Sequence, residues 1–570
     1  FRPAFFLAIG LLFFYLINLP TPDGLTIHGQ RAIALFAVCL ILWVTEALPL
    51  AITSLMAIVL VALLDVLDKR TTYALFGNEA VFFILGAFIL SGAVMHSGLS
   101  NRIALAIMSR FGGTPRGLLA SIFFLAAALS FFMSEHAVAA MLFPIVLEIA
   151  RGLNLKPGKS NYAKSLFLAL AWGCIIGGVA TFLGGARVPL AVGMLKEATG
   201  ITIGFFEYTS MVFPTVMILL FIGYFGLTRF FRQDIPDIHL AKAVFEGKLK
   251  ELGKIGYVEY AVGILMGVTI FFWIFLGKTI GIAGIAIISV VALFILKLVR
   301  WKDIEEYVNW GVILMYGGAI TLGASMEKSG AAAWMANVVI GDWANNPLLV
   351  IAILSLLTIL LTEGMSNAAV IAVLLPVGIG MAGKFHIDTK TIAYAIAVPA
   401  GLAFCFPMST PANAIAVSSG YITTRDSRTS QKAIEHAVGL AKKEKAKLVV
   451  LYIIETELTN EVFDKFTDIG FIGDKPSTQL TEAIMKEYRQ RGYEEMGKVQ
   501  IKAMEENVDF DAVTTQGDFV EKSLEVIERY KIDAAVAIKR KRSVFLKYFS
   551  KSMVDELVAK APCKVEVFEE

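Results

Sequence analysis

The chain has 570 residues, 57% of them hydrophobic and 17% charged, with a formal net charge of +3 and a mean hydropathy of +0.70. A soluble protein of this size is not that apolar throughout, and so small a net charge gives no reason to expect nucleic acid as a partner. Four cysteines, Cys39, Cys174, Cys405 and Cys563, are too scattered for a metal site or a disulfide framework. Three of them lie in apolar context, where a thiol packs as a small hydrophobe.

The apolarity is uneven. Residues 1–424 contain run after run long enough to cross a bilayer, roughly 20 residues each. From Ser427 onward charge is dense and such runs stop. Two domains follow: a membrane part, 1–424, and a soluble part, 427–570. The first residue is Phe1 rather than Met, so some N-terminus is expected to be missing, and no cleavable signal pattern is visible.

In chain order, the predicted spans are 4–19, 31–46, 50–66 and 79–96, then an amphipathic piece at 99–111. A hairpin at 115–151 turns at Ser134-Glu135-His136. A long segment, 163–197, is interrupted at Gly177-Gly178 and at Gly184-Gly185-Ala-Arg187-Val-Pro189. A span at 208–230 and a basic linker at 229–254 end the first half. The second half repeats the plan: spans 257–276, 279–297 and 310–326, a small-residue helix at 330–341, a hairpin at 347–383, and a segment at 391–422 broken at Ser409-Thr-Pro-Ala-Asn413.

An offset of 232 positions relates the halves. It carries Met133, Ser134 and Pro144 onto Met365, Ser366 and Pro376, and Gly86-Ala87 onto Gly318-Ala319. Isolated kinks would not share a register over this length. Repeat one is assigned to about 31–231 and repeat two to about 257–424. The fold expected is an all-α polytopic membrane protein with inverted repeats, two re-entrant hairpins and two broken helices. Irregular backbone at membrane depth is tolerated only beside protein or a wet cavity. Paired polar breaks therefore point to a carrier whose substrate sits between them, near the bilayer midplane.

Loop charge sets the expected orientation. The linker 229–254, Arg102–Arg116, Arg151–Lys164 and Lys297–Lys302 read as cytoplasmic, with Asp68-Lys69-Arg70 as a mild exception. The soluble part then lies in the cytoplasm. It reads as a helix at 429–444, a strand at 447–454, a helix at 477–505, Val513–Gly517 leading to a helix at 519–530, a strand at 534–538, a helix at 549–560 and a strand at 563–568. That alternation describes an α/β domain with a parallel sheet.

Broken helices expose amides at one end, which attract anions, and carbonyls at the other, which suit a hard cation beside Ser, Thr and Asn oxygens. In the second half Ser366 and Asn367 are expected to face Thr410 and Asn413, with Thr362 adding a hydroxyl; recapping of broken helix ends is the plainer reading. In the first half Glu135 and Arg187 are charges at membrane depth, where charges are expensive and usually paired. Arg187 is read as a fixed cation standing where a sodium ion would, with Glu135 as its partner and His136 beside it. Three other readings stay open: a direct contact from Arg187 to substrate, proton coupling through Glu135 and His136, and a purely structural pair. His96 and Glu46 read as helix-end groups. Lys539-Arg-Lys-Arg542 reads as a solvated loop, with anionic headgroups or a nucleotide phosphate as alternatives.

The membrane part resembles the divalent-anion/sodium symporter family over residues 1–424. The carriers are Trp43-Val-Thr-Glu-Ala-Leu-Pro49, the second tip Ser366-Asn367-Ala368, and Ser409-Thr410-Pro411-Ala412-Asn413. The first tip, Ser134-Glu135-His136, keeps only the serine of the family's Ser-Asn-Thr. The resemblance implies a homodimeric carrier of dicarboxylate, citrate or sulfate that works as an elevator. It implies sodium held by Thr362, Ser366, Asn367, Ser409 and Asn413, and substrate lined by Ser366, Asn367, Thr410 and Pro411; the reading of the residues themselves adds Ser134, Glu135, His136 and Arg187 to that lining. Residues 427–570 resemble the universal stress protein domain through Asp426-Ser427-Arg-Thr-Ser430-Gln-Lys-Ala433, Val513 to Gly517-Asp518, and Ala561-Pro562-Cys563-Lys-Val. That family's nucleotide-binding glycines, due near Ile538, Lys541 and Lys551, are absent. The join at Thr424–Ser427 is abrupt: the family's last membrane helix and the stress domain's first strand are expected either to have been lost or to be missing from this sequence.

A secondary active carrier of small anions, with sodium as its cation and a regulatory soluble domain, is the leading expectation. A ligand-sensing receptor, a proton-coupled or exchange carrier and a channel are the alternatives. No nucleophile–base set or metal cluster suggests an enzyme.

Overall fold

The structure is a computed structural model that describes residues 2–45, 47–231, 234, 238–340, 346–406, 409–422, 431–455, 474–539 and 553–569. Glu46, the run Arg540–Arg542 and the join at Thr424–Ser427 lie outside the described residues. The chain forms two compact units, one built on Phe1–Ile422 and one on Thr423–Lys465 with Thr481–Glu570.

The first unit is helical. Its opening helices are α1 (Arg2–Asn18), α2 (Ile27–Thr45), α3 (Leu50–Leu63), α4 (Lys69–Ala74), α5 (Glu79–His96) and the amphipathic α6 (Leu99–Phe111). The first hairpin is α7 (Pro115–Ser130) and α8 (Glu135–Gly152). Next come α9 (Asn161–Gly178), α10 (Arg187–Thr199), α11 (Phe205–Phe230) and α12 (His239–Glu251). The second half contains α13 (Tyr257–Ile280), α14 (Ile282–Ile295), α15 (Trp301–Ile304), α16 (Trp310–Lys328) and α17 (Ala331–Ile340). It ends with the hairpin α18 (Pro347–Thr362) and α19 (Asn367–Lys384), then α20 (Thr389–Ala397) and α21 (Pro411–Ser418). Among the described residues five helices are long and apolar enough to cross a bilayer, or six if Trp301–Tyr307 and Trp310–Lys328, bent by 57°, form one span.

Local chemistry sets the boundaries. Each hairpin opens on a capped proline: Thr114 accepts from the Gly117 amide ahead of Pro115, and Asn346 accepts from the Leu348 amide ahead of Pro347. The 232-residue offset reappears in the elements: 331 − 99, 347 − 115, 367 − 135 and 282 − 50 all give 232 between helix starts. Packing repeats reciprocally as well. A Cβ on Gly86 of α5 would fall 2.7 Å from the Ala286 Cβ of α14, and one on Gly318 of α16 would fall 2.4 Å from the Ser54 Cβ of α3. These are equivalent pairs with the halves exchanged, since 318 − 86 and 286 − 54 are both 232. Likewise α8 packs on α21 and α19 on α10. Exchange of this kind is what a two-fold arrangement of like surfaces produces.

Three expectations need correction. The linker 229–254 is not a plain connection: it carries α12, which packs against α6 and α8. Arg102 donates to the carbonyls of Leu252 and Gly253, Lys248 pairs with Glu148, and Asp234 accepts from the Asn161 and Tyr162 amides, so three of the basic stretches meet. The second break starts earlier than its motif: helix ends at Ala397, one 3-10 turn covers Pro399–Gly401, and Thr410 is already the cap of α21. Cys405 is exposed, unlike the buried Cys39 and Cys174.

The second unit alternates as expected: α22 (Gln431–Glu444), β1 (Leu448–Glu455), α23 (Asp474–Glu505), β2 (Phe510–Gly517), α24 (Phe519–Tyr530), β3 (Ala534–Lys539), α25 (Met553–Lys560) and β4 (Lys564–Glu569). Val438, Ala441, Ala503 and Val508 form a core under Leu448 and Phe510. Its strands are parallel, but among the described residues they form two sheets rather than one: β1 with β2, and β3 with β4.

Candidate functional site

The first tip is the four-residue turn Phe131–Ser134. Helix α7 closes with the Met133 amide on the Leu129 carbonyl, and α8 opens with the Val138 amide on the Ser134 carbonyl. The facing break runs from Val179 to Ala186. Tip and break are tied by the Glu135 amide on the Gly184 carbonyl, 2.9 Å, and by the Thr181 hydroxyl on the Phe131 carbonyl, 2.7 Å. The Glu135 side chain lies over Gly178, where a Cβ would come within 1.9 Å of Oε2.

Glu135 and Arg187 are brought together, as their membrane depth suggests. Arg187 donates from Nη1 to Glu135 Oε1 at 3.0 Å and from Nη2 to Oε2 at 3.2 Å. This is the two-pronged geometry in which guanidinium and carboxylate match best. The side chains are 1% and 0% exposed. His136 Nε2 is 3.6 Å from Glu135 Oε1. The guanidinium packs flat on Gly401 of the second break, where a Cβ would meet Nε at 2.3 Å, so the two breaks adjoin at Arg187. Arg187 Nε is a buried donor without a hydrogen-bond partner. The Tyr316 hydroxyl of α16 donates to the Ala186 carbonyl beside it. A cavity of about 340 Å³, counting adjoining open solvent, is lined by Ser134, His136, Gly185 and Ala186 with Ser91 and Phe88 of α5. Ser366, Asn367, Thr410 and Pro411 do not line this cavity.

The second tip is Glu363–Ser366. Ser366 caps α19 by accepting from the Ala369 amide, 3.2 Å. The Thr362 hydroxyl lies 2.7 Å from Asn367 Oδ1 and 2.9 Å from the Ala400 carbonyl. A hydroxyl, a side-chain amide and a backbone carbonyl thus converge, and oxygens of these kinds suit a hard cation. Ser409 and Asn413 are also brought together, but differently. Asn413 Nδ2 donates to Ser409 Oγ at 3.1 Å and to the Ala403 and Phe406 carbonyls at 3.0 and 3.4 Å. It staples the break and uses up carbonyls that a cation would need. Thr410 caps the Asn413 amide, with Pro411 in the first helical turn.

Sequence reasoning missed two groups. The Ala400 carbonyl is invisible to it because any residue carries one. Glu363 follows Thr362 in the chain, yet its role depends on amides about forty positions away: its carboxylate accepts from Phe404, Cys405 and Phe406 N–H at 2.8–3.1 Å. His96 does not ligate; it sits 3.8 Å from Asp303.

Residues 4–430 match the family described as the sodium:sulfate symporter transmembrane region. The chain belongs to that family. It is therefore an integral membrane transporter and not an enzyme, and residues 422–568 add a domain of the universal stress protein family. Among curated relatives, the sodium-dependent dicarboxylate transporter SdcS of Staphylococcus saprophyticus is 29% identical over 441 residues, covering 73% of this chain and 85% of its own. SdcS of Staphylococcus aureus strain USA300 is 29% identical over 449 residues, 74% and 85%. A solved structure, the Alcanivorax borkumensis YdaH transporter, matches with TM-score 0.36 and 15% identity over 75% of this chain and 90% of its own.

Proposed function

We propose that this symporter-family member is a secondary active carrier of small anions, di- or tricarboxylate first and sulfate or another anion second, coupled to sodium through one site in its second repeat. The observation that carries the reading is the convergence of the Thr362 hydroxyl, the Asn367 side-chain amide and the Ala400 carbonyl within hydrogen-bond distance, a set that a hard cation takes. The curated relatives named as sodium-dependent dicarboxylate transporters support the substrate class. In the first repeat the equivalent of Asn367 is Glu135 (367 − 232), and its partner is a permanent cation. A sodium ion has no role beside a charge that cannot diffuse, so this repeat holds a neutral ion pair in that place and consumes no ion. Substrate meets the helix N-termini at Ser134 and Ser366, whose positive dipole ends favour carboxylates; Glu135, His136, Arg187, Thr410 and Pro411 complete the lining.

In this reading the repeats are inverted, the carrier is a homodimer moving as an elevator, and the meeting of α12 with the other basic stretches marks the cytoplasmic face. The stress-protein domain is regulatory and cytoplasmic. The test is uptake of radiolabelled succinate into proteoliposomes, with and without a sodium gradient. Sodium-dependent accumulation is expected, with a Hill coefficient for sodium near that of a single site. Binding without accumulation identifies a receptor, and accumulation driven by a proton gradient alone refutes the sodium assignment.

A further inference from the structure

Resting on the carrier reading above, we propose that Glu363 is a positioning residue for the cation site: it fills the amide side of the second break so that the carbonyl side is held ready for sodium. The helix end broken between Gly401 and Thr410 presents donors as well as acceptors. Three consecutive amides, Phe404, Cys405 and Phe406, converge on one point, and convergent backbone N–H groups form a cradle for an anion. Here the protein's own carboxylate occupies it, with four contacts of 2.8–3.1 Å, and Glu363 is only 8% exposed.

Glu363 directly follows Thr362. The same hairpin end thus grips the break by both polarities: the Thr362 hydroxyl on the Ala400 carbonyl, and the Glu363 carboxylate on the amides of the three residues that follow Ala403. Fixing that turn fixes the carbonyls around it, Ala400 in the oxygen cluster and Ala403 and Phe406 on Asn413. Two consequences follow. The amide cradle is closed to substrate, which is left with the hairpin tips. A negative charge also stays beside the oxygens, and it favours a cation there. The first repeat has no such device, because position 363 − 232 is Phe131. Its break is held instead by the Glu135 amide on Gly184 and by Arg187.

The experiment uses the full chain in proteoliposomes and in detergent, with Cys563→Ala to leave Cys405 as the exposed thiol. Three quantities are read for wild type, Glu363→Gln and Glu363→Asp: half-saturating sodium for thermal stabilisation, half-saturating succinate at saturating sodium, and the maleimide labelling rate of Cys405. Glu363→Gln should raise half-saturating sodium by about tenfold, the effect expected for losing one charge-assisted contact set. Half-saturating succinate should stay within about twofold, because substrate does not use the cradle in this account. Cys405 labelling should quicken and lose its slowing by sodium, and Glu363→Asp should recover part of both effects. If wild type responds to sodium and Glu363→Gln responds at the same concentration, the proposal is overturned while the carrier reading stands. If wild type shows no sodium response in any arm, the carrier reading itself fails; the labelling rate then still decides whether Glu363 holds the turn.

Discussion

A guanidinium and a carboxylate both removed from water lose hydration that only close pairing restores, and breaking such a pair costs about 3–5 kcal/mol because one charge stays buried alone. Glu135 and Arg187 are in that position. Arg187→Ala alone should therefore lower thermal stability sharply, whereas Arg187→Ala combined with Glu135→Asn should recover most of it. The double variant also gives the first tip the Ser-Asn of the second, so the sodium dependence of uptake should become steeper. An unchanged Hill coefficient in a folded double variant would refute the fixed-cation reading. Glycine matters here by absence of bulk. Gly178→Ala drives a methyl to 1.9 Å from Glu135 Oε2, and the expected outcome is loss of uptake with a lower Tm, read by fluorescence-detected unfolding.

How much of the site the sequence disclosed follows from the kind of group involved. Glu135 and Arg187 stood out because charge within an apolar run is rare and must be answered. Thr362 and Asn367 could be placed together because five positions across a hairpin tip are neighbours. Ser409 and Asn413 were found as a pair, but their donor roles depend on which carbonyls the turn exposes. Glu363 could not be assigned, since its partners are backbone amides that no residue type marks.

At the scale of elements, repeats and caps made the helix starts legible, while what fills a break did not show. The motif Ser409–Asn413 marks the end of the second break, whereas its beginning after Ala397 is marked by Pro399 and Gly401, a stop signal that the reading of the motif passed over. In the soluble unit the pattern of strands was readable and their pairing was not, because partners such as Leu448 and Phe510 lie far apart in the chain and nothing in either run names the other. Acid acts on the same unit. Lys564 and His436 hold the Glu566 carboxyl below its ordinary 4.5, chiefly through their hydrogen bonds, and Lys442 does the same for Glu506. A carboxyl lowered by folding contributes stability above its unfolded value and loses it as pH falls. Unfolding followed by tryptophan-independent circular dichroism should therefore begin to shift only below about pH 4.5, with little change from pH 8 to 6.

For the whole molecule, the decisive feature is the exchange of packing partners between halves. Gly86 fits against Ala286 and Gly318 against Ser54, so each half supplies the close-approach surface that the other needs. Dividing the chain between Glu251 and Gly256 should give two pieces that are each protease-sensitive in membranes, and uptake should return when they are co-expressed. Independent resistance of either piece would show that the exchange contributes little.

That exchange also sets a timetable for biosynthesis. The seat for Gly86 is 200 residues downstream at Ala286 (286 − 86), so α5 leaves the translocon long before its neighbour exists. During that interval its small-residue face meets lipid or a chaperone, and the ribosome's pace through the second half decides how long the nascent protein waits unfinished.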